Sequence, residues 1–449
     1  MIKVIQSTRE KRNYWQEVKA DDFSAKCRKK LTNIQVFTER KYQSVLGFGG
    51  AFTEAACFNI MSASPHSIEK IMRAYYATEG LNYSLGRTVI NSCDFSLDSY
   101  SYVQEGDQDF SSFDLSREQK YVIPVIDLAK AIAGKSLTLV ASPWSPPAYM
   151  KTNDSMLYGG SLKGKAKPLW AKYIARYLQE MRKRNIAIEY LTVQNEPEAA
   201  QTWESCLFTG QEEADFILKH LAPTLKENGL ANVKILAWDH NRDHILNRAD
   251  AIYDNPETRA LVWGLAYHWY VSSAHENLSL VHDKYPDKHL LFTEGCLELN
   301  NAHNGLLTIG LWEHGEYYGR HMINDFNNFC EGWIDWNLVV DEIGGPNHVN
   351  NFCEAPIIYN RSTREIIYNP SYYYIGHFSK YVMPGAVRLH TELHHSPNVL
   401  AVSFRNPNGE IITIIQNEGH RAFASLHLEG QGTALQLPAH SITTIIMHK

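Results

Sequence analysis

Short apolar runs alternate with longer helix-like segments through the middle of the chain, and this alternation constrains the fold more than any other feature. The runs are rich in β-branched and aromatic residues, which is typical of buried strands. Eight runs occur, at residues 47–52, 83–90, 137–142, 189–194, 233–238, 261–268, 289–293 and 331–336. Helix-like segments between them lie at residues 67–76, 118–132, 169–184, 212–227 and 313–328. Strands that alternate with helices predict parallel βαβ units.

Eight such units predict an α/β fold of the (β/α)8 TIM-barrel kind. Its active site would lie at the carboxyl ends of the strands. Conspicuous side chains fall at those predicted ends, namely Arg87 and Asp94 after the second strand, Trp144 after the third, Glu196 after the fourth, His268 and Tyr270 after the sixth, Glu294 after the seventh, and Trp336 and Asn337 at the eighth. We therefore expect them to share one site.

The two ends of the chain have a different pattern, which predicts a side β-sandwich. Alternating short runs occur at residues 387–393, 399–404, 411–416, 422–428 and 442–447, and Asn408-Gly409 is a tight-hairpin signal. Residues 4–8 and 34–37 could add strands to the same sandwich. The predicted organisation is N-terminal sandwich strands in residues 1–40, a catalytic barrel in 41–380 and the C-terminal sandwich in 381–449.

Charge and histidine content argue against two classes of protein. The net charge is −6, and the short basic runs at residues 28–30 and 182–184 are more typical of solvated helix faces than of a nucleic-acid site. We therefore expect no nucleic-acid partner. A metal hydrolase is also disfavoured, because the cluster of His390, His394 and His395 lacks a supporting carboxylate pattern.

Cysteine usage and the start of the chain bear on location. Seven cysteines without a CxxC pair suggest reduced thiols in a reducing compartment. Residues 1–9 lack the apolar core of a cleavable signal peptide, and no apolar run is long enough to span a bilayer. We expect a chain that is cytoplasmic as synthesised. Residues 7–13 could carry an uncleaved address for export into a host cell, although a sandwich strand with a solvated turn is the simpler interpretation.

Two glutamates stand at strand ends three strands apart, which in a barrel places them across the mouth from each other. They are Glu196 in Asn195-Glu196-Pro197 and Glu294 in Thr293-Glu294-Gly295. Either glutamate alone is more typical of a cap or a surface salt bridge. Together they predict cleavage of a glycosidic bond, which needs an acid and a second carboxylate. Arg87 could keep Glu294 ionised, so we expect Glu196 to have the raised pKa.

A series of motifs in one order adds a family resemblance. The motifs lie at residues 47–56, 92–96, 142–151, 195–197, 268–270, 293–296, 332–337, 355–358 and 376–381. In these positions the chain resembles glycoside hydrolase family 30, and in particular its glucosylceramidases. The resemblance implies a TIM barrel with a side sandwich from both termini, and hydrolysis with retention of configuration. It also implies that neither a metal nor a cofactor takes part.

The resemblance also implies individual roles. Glu294 would be the nucleophile and Glu196 the general acid/base. The remaining roles would be a bond to the sugar 2-hydroxyl (Asn195), bonds to hydroxyls on the far side of the ring (Asp94 and Trp144), a wall of the sugar pocket (Trp336), orientation of Glu294 (Arg87 and Tyr270) and support of the same network (His268). The implied substrate is a β-glucoside such as glucosylceramide, a glycolipid met at a membrane surface.

Some departures leave alternatives open. Glu54 and Gly295 replace residues that are usual in the lysosomal members, without affecting the chemistry. The loops at residues 300–311 and 341–350 match poorly, and we expect such loops to select the aglycone. A β-1,6-glucanase or another family-30 glycosidase therefore remains an alternative. A carbohydrate-binding protein without catalysis is disfavoured because both carboxylates are present.

Overall fold

The computed structural model describes residues 2–19, 32–299, 309–394 and 397–448. The basic run at residues 28–30, His395 and most of the loop at residues 300–311 lie outside the described residues. All six cysteines within the described ranges are buried and free, whereas Cys27 lies outside them.

The N-terminal part forms three strands. They are β1 (Ile2–Thr8), β2 (Asn13–Val18) and β3 (Thr32–Ser44). β1 and β2 pair in antiparallel fashion, so residues 9–12 form the turn of a hairpin. The simpler interpretation of this stretch, a sandwich strand with a solvated turn, matches this geometry.

The eight predicted strands form a closed parallel barrel, which confirms the predicted fold class. They follow the chain around the barrel, and the last strand pairs with the first. These strands are β4 (Gly47–Phe52), β5 (Leu85–Ile90), β6 (Thr138–Pro143), β7 (Tyr190–Thr192), β8 (Lys234–Asn241), β9 (Val262–His268), β10 (His289–Glu294) and β11 (Gly332–Asp335).

Apolar side chains fill one layer of the barrel interior and form the floor below the polar residues. This layer contains Leu85, Val140, Leu236, Leu291 and Ile334 from five different strands. Side chains two residues apart on a strand share a face. Arg87 therefore points into the barrel directly above Leu85, where the polar region begins.

Helices surround the barrel. They are α1 (Glu54–Met61), α2 (Pro65–Tyr76), α3 (Ser116–Lys120), α4 (Val122–Ala133), α5 (Lys167–Lys183), α6 (Gly210–Phe216), α7 (Ala222–Glu227), α8 (Ile245–Tyr253), α9 (Pro256–Leu261), α10 (Glu276–Lys284), α11 (Trp312–Asn327) and α12 (Pro370–Ser379). The predicted helix at 118–132 is two helices, because the backbone leaves helical geometry at Tyr121. A π-helical segment, Ile217–Leu221, interrupts the one at 212–227, just before Pro223, whose nitrogen cannot donate a helical hydrogen bond. None of the described helices is long and apolar enough to cross a membrane.

The remaining strands follow the barrel. A small sheet contains β12 (Val339–Val340), β13 (Ile357–Asn360) and β14 (Glu365–Tyr368). The C-terminal strands are β15 (Val387–His394), β16 (Val399–Arg405), β17 (Ile411–Asn417), β18 (Ala422–Leu428), β19 (Gln431–Leu437) and β20 (Ser441–Met447). β16 and β17 form the hairpin that Asn408-Gly409 predicted, and Gly409 has the positive φ of 89° that such a turn requires.

Both chain ends build one nine-stranded sheet, in the order β19-β18-β3-β15-β16-β17-β20-β1-β2. The sheet folds back on itself, since Gln6 Nε2 on β1 donates to the Gln436 carbonyl on β19 at 3.0 Å. Val4 and Leu435 meet in the core between the layers. The predicted side sandwich is therefore confirmed. β3 continues to Ser44, and the predicted domain boundaries at 40 and 380 stay predictions.

The sandwich is joined tightly to the barrel. Phe326 on α11 packs against Phe404 on β16, with ring centroids 5.4 Å apart. The buried His377 on α12 bonds Ser7 of β1 and Thr444 of β20, each at 2.8 Å. In the sandwich itself, His390 bonds Glu392 at 2.8 Å, so this histidine has the carboxylate partner that the sequence pattern did not reveal.

Candidate active site

Glu196 and Glu294 meet at the carboxyl end of the barrel. Glu294 is the last residue of β10, and Glu196 lies just beyond the end of β7. A carboxylate oxygen of each lies within 4.8 Å of the other. This upper bound on the oxygen–oxygen distance is compatible with the carboxyl separation of about 5–5.5 Å in retaining enzymes, and it favours that class over inverting enzymes, whose carboxyl groups lie further apart.

The Glu294 carboxylate is held from two sides. Arg87 Nη1 contacts Oε2, and the Tyr270 hydroxyl donates to Oε1 at 2.9 Å. The guanidinium is fully buried and makes further bonds to Ser142 Oγ (2.9 Å), Asn195 Oδ1 (2.8 Å) and Asp239 Oδ2 (2.7 Å). Because Arg87 is fixed by these partners, it fixes the position of Glu294 in turn.

Glu196 has an imidazole as its main partner. His268 Nδ1 lies 3.1 Å from Glu196 Oε1, and His268 Nε2 lies 3.1 Å from Asp239 Oδ1. His240 Nδ1 is 3.7 Å from the same Glu196 oxygen. Glu196 has a positive φ of 45°, a strained conformation that is common where a side chain must be aimed into a site.

The electrostatics of the two carboxyl groups differ from the expectation. Burial raises the pKa of Glu294, and it outweighs the attraction of His268 and Arg87. Burial also raises the pKa of Glu196, but the His268 hydrogen bond and the charge of His240 lower it below its ordinary value. The expected raised pKa of Glu196 is therefore wrong. The neighbouring carboxylate favours the expected direction, but the imidazoles of His268 and His240 outweigh it.

Asp94, Trp144 and Trp336 form the inner end of the cavity. The two indole rings stack with centroids 5.3 Å apart and an interplanar angle of 20°. Asp94 Oδ2 accepts hydrogen bonds from Asn351 (3.1 Å) and Asn347 (3.3 Å). Burial, with repulsion from Glu294, raises the pKa of Asp94 to about 7.

The loop at residues 341–350 was expected to select the aglycone. Its Asn347 instead donates a hydrogen bond to Asp94, a residue predicted to bind the sugar ring. Asn337 also departs from the expected grouping. It accepts from Thr53 Oγ1 at 2.5 Å, and its side chain ties β4 to the end of β11. Glu54, a departure from the family pattern, bonds Arg117 and the Leu97 amide, so it supports the loop that carries Asp94.

The cavity has a volume of about 540 Å³, and both Glu196 and Tyr270 line it. Its wall contains most of the predicted site residues, whereas Arg87 and His268 are buried behind it. Further lining residues include Gln201, Trp203, His240, Asn241, Val271 and Glu298. Val271 is 65% exposed.

Asp239 is the main functional residue that the sequence did not single out. It is fully buried and accepts from Arg87, His268 and Thr293 Oγ1, the last at 2.6 Å. It therefore links the group that holds Glu294 to the group that holds Glu196. Its signal was available, since it directly follows the predicted fifth strand, but it lies in no motif of the resemblance.

The residues that could hold a metal ion at this site are Glu196, His268 and Glu294, whose donor atoms all lie within 4.8 Å of one another. Arg87 already contacts Glu294 with a full positive charge. A divalent cation would have to compete with it, so the donor set fits proton transfer and carboxylate chemistry better than metal binding.

Two family models match the chain. The glycosyl hydrolase family 30 TIM-barrel domain matches residues 45–382, and the glycosyl hydrolase family 30 beta sandwich domain matches residues 385–445. The lysosomal acid glucosylceramidase of Mus musculus is 32% identical over 392 residues, which cover 84% of this chain and 76% of that protein.

Solved structures give the same picture. SrfJ from Salmonella typhimurium has a TM-score of 0.93 at 34% identity, with 100% of both chains covered. The endo-beta1,6-glucanase BT3312 has a TM-score of 0.88 at 28% identity, with 100% of this chain and 99% of that chain covered. The likeness therefore extends over both the barrel and the sandwich.

Proposed function

Since the chain belongs to glycoside hydrolase family 30, and is therefore a glycoside hydrolase, we propose that it cleaves β-glucosides with retention of configuration. The observation that carries this proposal is the pair of carboxylates with oxygens within 4.8 Å of each other. So close an approach favours direct attack of one carboxylate on the sugar carbon over activation of a water molecule held between the two groups.

Glu294 is the nucleophile in this proposal. Arg87 and Tyr270 hold both of its oxygens, so the carboxylate meets the anomeric carbon in a fixed orientation. In the first step Glu294 bonds to the anomeric carbon while the aglycone oxygen leaves with a proton from Glu196. In the second step Glu196 removes a proton from water, and the water oxygen displaces Glu294.

The charge on Glu294 controls the role of Glu196. Once Glu294 carries the sugar as an ester, its negative charge is gone, and the repulsion that favoured a proton on Glu196 is gone with it. Glu196 then acts as a base in the second step. The same group therefore serves as acid and base in turn.

The inner end of the cavity binds the glucose ring. We assign hydroxyl contacts to Asp94, Trp144 and Asn195, and a stacking wall to Trp336. The Asp94 carboxylate is directed by two asparagine amides, and the stacked indole rings offer a flat apolar face beside it. Such a pocket rejects an epimer because a misdirected hydroxyl leaves buried polar groups unpaired.

Glucosylceramide is the substrate that we propose, with hydrolysis at a membrane surface. Relatives at 31–34% identity over most of the chain are named glucosylceramidases. Val271, which lines the cavity, is 65% exposed. An exposed apolar side chain beside an active site suits a lipid aglycone.

A β-1,6-glucan is the second candidate. Gln201, His240 and Asn241 give the outer cavity polar groups that could bond the hydroxyls of a second sugar, and BT3312 is named an endo-beta1,6-glucanase. The two candidates are separated by assaying released glucose from glucosylceramide in vesicles and from a β-1,6-linked glucan. Faster turnover of the glucan would overturn the proposed substrate but not the proposed chemistry.

The roles of the two glutamates are tested with azide. We expect Glu294→Ala to regain turnover of an activated aryl β-glucoside with azide and to release the α-glucosyl azide. Glu196→Ala should instead release the β-glucosyl azide, because azide then attacks the covalent intermediate. Glu298→Ala, which changes a lining carboxylate outside the pair, is the matched control and should show neither rescue. If Glu294→Ala released the β-glucosyl azide and Glu196→Ala released the α-glucosyl azide, the two roles would be the reverse of those proposed.

The place of action is a separate proposal. We propose that the protein acts inside a host cell after export from the cell that produces it. Fractionation of producing cells, with and without host contact, tests it. Full-length protein confined to the producing cells in every condition would contradict export.

A further inference from the structure

The His268 imidazole lies between two carboxylates. Its Nδ1 is 3.1 Å from Glu196 Oε1 and its Nε2 is 3.1 Å from Asp239 Oδ1, and the ring is fully buried. His268 thus connects Glu196 to Asp239, which in turn bonds Arg87. Glu196, His268 and Asp239 therefore form one hydrogen-bonded unit.

The geometry sets the number of protons in this unit. A neutral imidazole has one N–H and one bare nitrogen, so it donates to only one of two flanking carboxylates. Both contacts are hydrogen bonds only when the unit holds two protons. Either His268 is an imidazolium between two carboxylates, or its bare nitrogen accepts a proton from a carboxylic acid.

Asp239 cannot easily be that carboxylic acid. It forms a buried ion pair with Arg87 at 2.7 Å and accepts from Thr293 Oγ1 at 2.6 Å. Although burial raises the pKa of Asp239, Arg87 and His268 lower it well below its usual range. The second proton therefore resides on either His268 Nδ1 or Glu196.

We propose that Glu196 and His268 share one exchangeable proton, and that His268, positioned by Asp239, supplies it to Glu196 before the glycosidic bond breaks. This inference rests on the role of Glu196 in the proposed function. The proton moves from Nδ1 to Oε1, so an imidazolium and a carboxylate become an imidazole and a carboxylic acid. Rotation of the carboxyl group then turns the proton toward the leaving oxygen. In the second step, the proton that Glu196 removes from water returns to Nδ1.

The charges around His268 agree with this distribution. The groups that face it are Glu196 beyond β7, Asp239 and His240 on β8, Glu294 on β10 at 4.0 Å, and Arg87 on β5 through Asp239. Burial alone lowers the pKa of His268, but Glu294, Asp239 and Glu196 raise it to about 9. These charges favour the position of the shared proton on His268 at neutral pH, in line with the lowered pKa of Glu196.

The pH dependence of kcat/KM tests the inference with two substrates. A 4-methylumbelliferyl β-glucoside needs protonation of its leaving group, whereas a 2,4-dinitrophenyl β-glucoside needs little. For the first substrate, we expect His268→Gln to shift the alkaline limb to lower pH by at least about one unit, a tenfold loss at a fixed pH on that limb. The second substrate should keep most of its rate. Asp239→Asn should shift the limb in the same direction.

His289→Gln is the matched control. His289 Nδ1 bonds Glu331 at 2.9 Å at the opposite end of the barrel, so the variant removes the same kind of pair away from the site. It should leave both pH profiles unchanged. An unmoved alkaline limb in His268→Gln, or equal losses on both substrates, would overturn the proton-sharing role and leave His268 as a packing residue.

A measurement without turnover separates this inference from the proposed function. In 15N-histidine-labelled wild-type enzyme, His268 is identified as the ring whose signals are missing from the spectrum of His268→Gln. We expect both ring nitrogens to be protonated at neutral pH. A singly protonated ring would overturn the inference even in an active enzyme, and a wild type that cleaves neither glucoside would overturn the proposed function instead.

Discussion

The Tyr270 hydroxyl provides a quantitative test of how Glu294 is kept ionised. It donates to Glu294 Oε1 at 2.9 Å, and Tyr270→Phe removes this bond while keeping the ring. A hydrogen bond to a charged group contributes about 1.5–3 kcal/mol. Because one pKa unit corresponds to about 1.4 kcal/mol, loss of the bond should raise the pKa of Glu294 by about 1–2 units.

The sign follows from which form reacts. In the proposed mechanism only ionised Glu294 attacks the sugar, so a higher pKa removes activity from the acid side of the profile. We expect the acid limb of kcat/KM for a 2,4-dinitrophenyl β-glucoside to move to higher pH by about 1–2 units. Above that limb the rate should change much less.

The control is Tyr285→Phe, which removes a hydroxyl bonded to Asp250 at 2.9 Å on the outer helices. Its profile should match the wild type. Thermal unfolding of both variants would show that the fold is intact. An acid limb that stays in place or moves to lower pH in Tyr270→Phe would refute the reasoning, because the hydroxyl would then not stabilise the charged nucleophile.

Three further changes have distinct expected results. In Arg87→Lys the single ammonium group cannot bridge both Asp239 and Glu294. Urea unfolding should show a free energy of unfolding lower by about 3–5 kcal/mol, and steady-state kinetics should show a loss of at least about a hundredfold in kcat/KM. Unchanged stability would contradict the buried network. Asp94→Asn should reduce the preference for β-glucosides over β-galactosides by about ten- to a hundredfold in competition assays, whereas an unaltered ratio would count against its contact with sugar hydroxyls. Burial raises the pKa of Glu118 to about 7, so its stabilising contribution is complete below the unfolded pKa and is lost as pH rises through about 7. Urea unfolding of Glu118→Gln between about pH 4 and pH 8 should lack this decline, and parallel curves for the two proteins would exclude it.

The barrel could be predicted from the sequence because six of its eight strands are marked twice. The run at residues 289–293 is mainly apolar, and it is followed by Glu294, a polar residue that a strand interior would not tolerate. The strands β2 and β19 were missed for the opposite reason. β2 is an edge strand with exposed polar residues, and β19 contains Gly432 and two glutamines, so neither shows the usual alternation.

Most members of the candidate site could be predicted from the sequence, but Asp239 and the distribution of protons could not. Glu196, Glu294 and Arg87 each follow from a strand end or a motif, and the structure brings them together. The register between β8 and β9 shifts at Asp239, the residue that accepts from both His268 and Arg87. A one-residue irregularity of this kind has no signature in a single sequence.

The nine-stranded sheet has a consequence for how the molecule is made. β1 pairs along its whole length with β20, so residues 2–8 find their partner only in residues 441–447. During synthesis the barrel can close while β1 and β3 still present unpaired edges, and these edges are protected only after the last strand has left the ribosome. Contacts of such long sequence separation slow folding, because a large loop must close before they form. Loss of β20 would therefore expose β1 and β17 together, and aggregation of the nascent chain, rather than a gradual loss of activity, is the expected consequence.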